Sequence, residues 1–367
     1  MILSILKVFA PTTLAFFLGL LIAPFLTNFL YKNEMWKKRA GKTALGGGET
    51  PIFNKLHAHK EVGTPRMGGV IIWLSTLLVT LTFAVLPIFF PGDIATKFNF
   101  LSRNQTWLPL FTMIIGSLVG LIDDYLQITR SRDGLKGGLH FKYRALVVIL
   151  LGLLGGSWFY YKLGVSAIAI PFDGQLFLGP LIIPLFVVVM LGLFSSGVVD
   201  GLDGLSGGIM ATIFTAYAGI AFFQNQVDLA ALCGTIAGGT LAFLWFNIPP
   251  ARFYMSETGI LGLTVGLSVV AFLTESVLVL PIIAFPLVAT SASVIIQTAS
   301  KKLRGKKVFL VAPIHHHFEA IGWPAYKVVM RYWIISVICA IIGMIIMLAG
   351  AHSSLWSHAG QIVYFLF

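Results

Sequence analysis

The sequence predicts an all-α, polytopic integral membrane protein, and two observations carry that reading. Of 367 residues, 57% are apolar and only 11% are charged. The apolar residues also cluster in windows long enough to cross a bilayer, since about 20 residues at 1.5 Å rise span roughly 30 Å of hydrocarbon. Lipid offers no partner for backbone polar groups, and the segments lack the alternating ten-residue pattern of outer-membrane barrels, so the spans are helices.

Ten spans are expected, near residues 8–31, 68–90, 107–122, 145–161, 176–197, 207–223, 229–246, 259–275, 277–298 and 332–351. Together they form one membrane domain over residues 1–367. The connections 32–67, 123–144, 198–206, 247–258 and 299–331 then fall on one side, and the other connections fall opposite with both termini. Twenty-one of the 25 Lys and Arg residues lie on the first side, the exceptions being Lys7, Lys97, Arg103 and Lys162. Cytoplasmic loops carry such an excess, so the charged loops are expected to face the cytoplasm. The net charge of +11 is therefore mostly topology, with anionic lipid headgroups or a phosphorylated substrate as further partners for it and no sign of nucleic acid. The N-terminus runs into the first span without a small-residue cleavage pattern and reads as an anchor. Cys233 and Cys339 fall within spans and read as packing residues.

Most carboxylates share the charged side. Asp123-Asp124 closes the third span, where ionised groups reach water. Neighbours on a helix diverge by about 100°, so the two should face different partners. Asp200 and Asp203 follow the fifth span, three apart and among Gly201, Gly204, Gly207 and Gly208; they share a face if a helix starts there. The loop from Asn247 to Gly259 adds Glu257, Tyr254 and an amide at the mouth of the eighth span. His315, His316 and His317 lie in the run Ala312-Pro313-Ile314-His315-His316-His317-Phe318-Glu319. Three successive imidazoles cannot all meet one ion from a helix, whereas a loop can aim two. Oxygen donors beside phosphate-binding cations suit Mg²⁺, which commonly binds through one or two carboxylates plus substrate phosphates. Phosphoryl transfer needs mainly positioning and charge neutralisation. No P-loop or kinase motif is present, which argues against ATP as donor.

These motifs, in order and spacing over residues about 60–331, resemble those of the polyprenyl-phosphate N-acetylhexosamine-1-phosphate transferases. The Ala312–Glu319 run points to the branch that moves phospho-N-acetylmuramoyl-pentapeptide. The resemblance implies a ten-helix fold with a cytoplasmic active-site cleft, UDP-MurNAc-pentapeptide as donor, undecaprenyl phosphate as acceptor, Mg²⁺ as cofactor, lipid I and UMP as products, and a possible homodimer. By motif match, Asp123 acts on the lipid phosphate as base or nucleophile, and Asp124 supports it or the metal beside Glu257. Asp200, Asp203 and Asn247 line the nucleotide side; Tyr254 and Gln297 match positions near the uridine. His315, His316 and His317 contact the donor's phosphate or sugar, and Lys60 and Lys142 match positions near the diphosphate.

Five positions depart from the family pattern. Ser256-Glu257 stands where the family has Gly-Asp, Gly197 where Asn is usual, Arg66 where Thr is found, and Glu61 where Lys is common. The alternatives are a UDP-GlcNAc-type transferase, a fold-retaining relative with an impaired metal site, and a transporter. Transporters usually place ionisable groups near the bilayer midplane, whereas here they gather at one end of the spans.

Overall fold

The computed structural model describes residues 1–38, 62–102, 105–132 and 137–364, with backbone alone from 351 onward. Among the described residues nine helices are long and apolar enough to cross a membrane. They are α1 (Ile2–Lys32), α2 (Val70–Phe89), α4 (Trp107–Arg132), α5 (Phe141–Ser157, prolonged by one wide turn to Lys162), α6 (Ile182–Ser195), α7 (Leu205–Phe223), α8 (Val227–Asn247), α9 (Ser256–Leu273) and α13 (Ala325–Tyr364). Short helices α3 (Asp93–Phe98), α10 (Leu280–Ile283) and α12 (Ile314–Ala320) and a two-stranded hairpin (β1, Ala167–Ile170; β2, Gly174–Phe177) join them.

The span expected at 277–298 takes a different form. Pro281 and Pro286 each lack an N–H donor, and the segment divides at Ala284 into α10 and α11 (Phe285–Arg304). The second piece is amphipathic and ends in Lys301, Lys302 and Arg304, so it is not among the nine. The third span also differs, because its helix runs on to Arg132 and leaves the Asp pair inside a helix rather than at its C-terminal end. The Asp pair therefore lies about two turns before the helix end, away from the last turn where the helix dipole acts.

Helices α7, α8 and α9 form the centre, with 78–89% of their apolar windows buried, against 22–50% for the other six. Small residues permit the close approaches, as membrane helices without a hydrophobic drive between them require. A Cβ on Gly238 of α8 would strike the Thr12 carbonyl of α1, and one on Gly234 the Thr12 hydroxyl. Between α4 and α9, Gly116 faces Gly262 and Gly120 lies against the Glu257 carbonyl. That last crossing positions the chemistry: one turn beyond Gly120, Asp123 and Asp124 arrive beside the first turn of α9. Both cysteines are free thiols, Cys233 buried in α8 and Cys339 partly buried in α13.

Candidate active site

The first turn of α9, Ser256-Glu257-Thr258, is the hub of the charged end. A helix leaves its first N–H groups without intrahelical acceptors, and carboxylates from two other elements supply them. Asp200 Oδ2 accepts from Ser256 N at 2.8 Å, and Asp124 Oδ2 accepts from Thr258 N at 3.0 Å and from Thr258 Oγ1 at 2.6 Å. Asp200 Oδ1 accepts from Ser206 Oγ at 2.7 Å. Ser256 holds φ +57°, a left-handed conformation at the start of the helix.

Asp123 and Asp124 diverge as their adjacency on a helix requires. Asp124, fully buried, accepts at Oδ1 from Arg66 Nε (3.0 Å) and pairs with Arg66 Nη2 (3.0 Å). Both of its oxygens are thereby engaged. Asp123 turns toward α5: Oδ1 accepts from Leu139 N at 2.5 Å, Oδ2 from Gln127 Nε2 at 2.7 Å, and Arg144 Nη1 lies 3.6 Å from Oδ2. The same Arg144 Nη1 pairs with Glu257 Oε1. A guanidinium therefore sits between Asp123 and Glu257, while Asp124, expected as the second metal donor, is taken up by Arg66 and Thr258. Burial works against the Arg66 charge, but the adjacent Asp124, with Glu257 and Asp200 further off, outweighs it and holds the guanidinium above its ordinary pKa.

The nucleotide-side residues sit in loops. Asp200 and Asp203 do not share a helix face, because a tight turn (Ser196–Val199) precedes them and α7 begins only at Leu205. Asp203 Oδ2 instead accepts from Ala251 N at 3.4 Å. Asn247 ties the two loops together, accepting from Gly204 N at 2.9 Å and donating to the Phe253 carbonyl at 2.8 Å. The Tyr254 backbone bonds to Gly68 N (2.8 Å) and to the Pro65 carbonyl (2.9 Å), which draws in the segment bearing Arg66.

The histidine run forms the short helix α12 rather than a loop, entered through a cis Ala312–Pro313 bond. Two imidazoles still point one way. A Cβ on Gly201 would lie 2.5 Å from His315 Nε2 and 2.8 Å from His316 Nε2, so both rings lie against the backbone between Asp200 and Asp203. His316 Nδ1 shares a 2.7 Å hydrogen bond with Glu319, which fixes the ring edge turned to Gly201. His317 is directed elsewhere and accepts from Leu310 N at 3.3 Å.

The structure thus brings together Asp123, Asp124, Glu257 and Asp200, with Asp203, Asn247, His315 and His316 adjoining through Gly201 and Gly204. It leaves others apart. Gln297 spends its amide on the 308–309 backbone, donating to the Phe309 carbonyl (2.8 Å) and accepting from Val308 N (3.0 Å) and Phe309 N (2.9 Å). Lys142 is exposed with its ammonium 4.9 Å from the Tyr143 ring, and Lys60 lies outside the described residues. Arg144, two residues past Lys142, takes the inward place. Its position in the first turn of α5, one helical face round from Lys142, was the available signal. Among the described residues no three His, Cys, Asp or Glu side chains are grouped so as to hold a metal ion.

Acids, guanidinium groups and imidazoles thus gather at one end of the spans of an all-α membrane domain. Residues 106–275 match the model of glycosyl transferase family 4. The chain is 34% identical to the phospho-N-acetylmuramoyl-pentapeptide-transferases of Geobacillus sp. (strain WCH70) and Bacillus mycoides (strain KBAB4), over 78% of its length and 85% of theirs. It is 34% identical to that of Pelagibacter ubique (strain HTCC1062), over 78% of its length and 81% of the relative. The chain belongs to the phospho-N-acetylmuramoyl-pentapeptide-transferase family.

Proposed function

We propose that the chain transfers phospho-MurNAc-pentapeptide from UDP-MurNAc-pentapeptide to undecaprenyl phosphate, releasing UMP and forming lipid I for peptidoglycan synthesis. Family membership supports the reaction, and one structural observation carries the site: Asp123, Asp124, Asp200 and Glu257 gather on the first turn of α9 with Arg66 and Arg144 among them. In the reaction an oxygen of the lipid phosphate bonds to the sugar-linked phosphorus, and the bond from that phosphorus to UMP breaks. Asp123 takes any proton the acceptor carries. Arg144 sits where it can turn from the carboxylates to the phosphates, and such charge neutralisation is most of what phosphoryl transfer asks of a protein. His315 and His316 face the donor's phosphate or sugar from the Gly201 side. By the positive-inside rule this end faces the cytoplasm, where a nucleotide donor is available.

Mg²⁺ is the cofactor this donor chemistry suits. Arg144 Nη1 now takes the position between Asp123 and Glu257, so those two carboxylates would hold the ion, together with the substrate's phosphates, only once Arg144 has turned to the diphosphate. When bound, it supplies further neutralisation of the diphosphate. Asp124 serves this reading as the anchor that fixes Arg66 and α9.

Two measurements test the proposal. Offered UDP-MurNAc-pentapeptide and UDP-GlcNAc together, the purified protein should consume the first; consumption of the second alone would move it to the GlcNAc branch. Glu257→Asp shortens the carboxylate by one carbon-carbon bond, and a displacement of about 1 Å at a reacting centre is worth on the order of a hundredfold in rate. UMP release across a Mg²⁺ titration should therefore change in both rate and midpoint, and an unchanged curve would remove Glu257 from the metal site.

A further inference from the structure

The carboxylate hub leaves unused the most concentrated positive charge in the chain. Lys301, Lys302, Arg304, Lys306 and Lys307 fall within seven residues, and no Asp or Glu occurs between Glu275 and Glu319. All five are exposed, and none is ion-paired among the described residues. The fold compresses them further. Gly305, at φ +65°, ends α11, and the chain then doubles back, with Ser300 Oγ donating to the Lys306 carbonyl at 2.9 Å and Gln297 gripping residues 308 and 309.

An apolar stripe runs into this hook. Leu287, Thr290, Ser293, Gln297 and Ser300 turn inward on α11, while Val288, Ile295 and Ile296 on the other side are 41%, 64% and 48% exposed. The outer face continues at helical spacing to Leu303, 82% exposed among the cations. Apolar side chains directed outward, bordered by long cationic ones, are the pattern of a helix end seated at the boundary between acyl chains and headgroups, where Lys and Arg stems stay in apolar surroundings and their charges reach the phosphates.

We propose that the 301–307 hook is a docking surface for the headgroups of anionic phospholipids in the leaflet on the charged side, with Leu303 inserted among their chains. Charge complementarity selects that occupant, since a basic cluster beside a membrane helix attracts anionic lipid in proportion to its cations. The surface is wired to the histidine run, because Gln297 holds Phe309, Leu310 N donates to His317, and Ile314 N donates to Ser293 Oγ at 2.9 Å. The inference concerns lipid binding and stands whether or not the catalytic reading holds.

The test is native mass spectrometry of the purified protein titrated with phosphatidylglycerol and phosphatidylcholine. The wild type should retain phosphatidylglycerol over phosphatidylcholine by about tenfold, a modest share of what several leaflet-facing cations can contribute. Replacing all five cations by Gln should bring the preference close to one, whereas exchanging the four Lys for Arg should preserve it. Leu303→Ser should weaken both lipids alike. Because a five-fold substitution can upset insertion, the pair Lys301→Gln and Lys302→Gln should give a graded loss in a protein of normal thermal stability. An undiminished preference in both Gln variants, or displacement of the lipid by inorganic phosphate alone, would overturn the proposal.

Discussion

At the residue scale, two departures from the family pattern have physical consequences. Arg66, standing where Thr is found, gives the buried Asp124 a two-point guanidinium partner. Removing one member of a buried pair leaves the other uncompensated, so Arg66→Ala should cost about 3–5 kcal/mol, read as a lower thermal midpoint in detergent; an unshifted midpoint would mean that Thr258 alone satisfies Asp124. Ser256 has the opposite effect. At φ +57° it occupies a conformation in which a side chain costs roughly 1–2 kcal/mol. Ser256→Gly should raise stability by about 1 kcal/mol, within the range for relieving such strain, while Asp200 keeps its bond to the backbone N–H. A destabilised Ser256→Gly would show that the Ser side chain contributes a bond stronger than the strain it brings. Neither effect was legible from composition. The sequence marked Arg66 and Ser256 as unusual, but only the α9 crossing reveals which carboxylates they meet.

At the element scale, Gly201 and Gly120 do similar work by admitting close approach. Gly201 lets α12 lay two imidazoles against the loop between Asp200 and Asp203. Gly201→Ala should push His315 and His316 outward and depress turnover by on the order of a hundredfold. Full activity in that variant would detach the histidines from the reaction. The spans and the loops' common side were readable because apolar runs and Lys/Arg bias are local signals. Element type at the site was less so. Asp123-Asp124 falls inside α4 because Gln127 and Arg130 carry the helix on toward the 137–139 segment, with Arg130 Nη1 donating to the Gly138 carbonyl. The histidines form a helical turn, and two prolines divide the span expected at 277–298. Each of these outcomes depends on tertiary partners far away in sequence, as does the inward place of Arg144 beside the outward Lys142.

At the scale of the whole molecule, the charged groups sort by end. The acids, Arg66, Arg144 and the histidine run meet at one end of the spans, while Lys7 pairs with Asp228 at the other. The largely buried helices α7, α8 and α9 frame that arrangement, so a substrate's phosphates would meet charges already in place, which is the condition for electrostatic stabilisation without reorganisation. A transporter would instead need its ionisable groups near mid-span. The most direct measurement is acceptor-dependent UMP release from UDP-MurNAc-pentapeptide by the purified wild type and Asp123→Asn, with thermal unfolding recorded for both. The expected result is release that requires undecaprenyl phosphate and falls at least about a hundredfold in a variant that still unfolds cooperatively. Near-normal release by the folded variant, or no acceptor-dependent release by the wild type, would contradict the account.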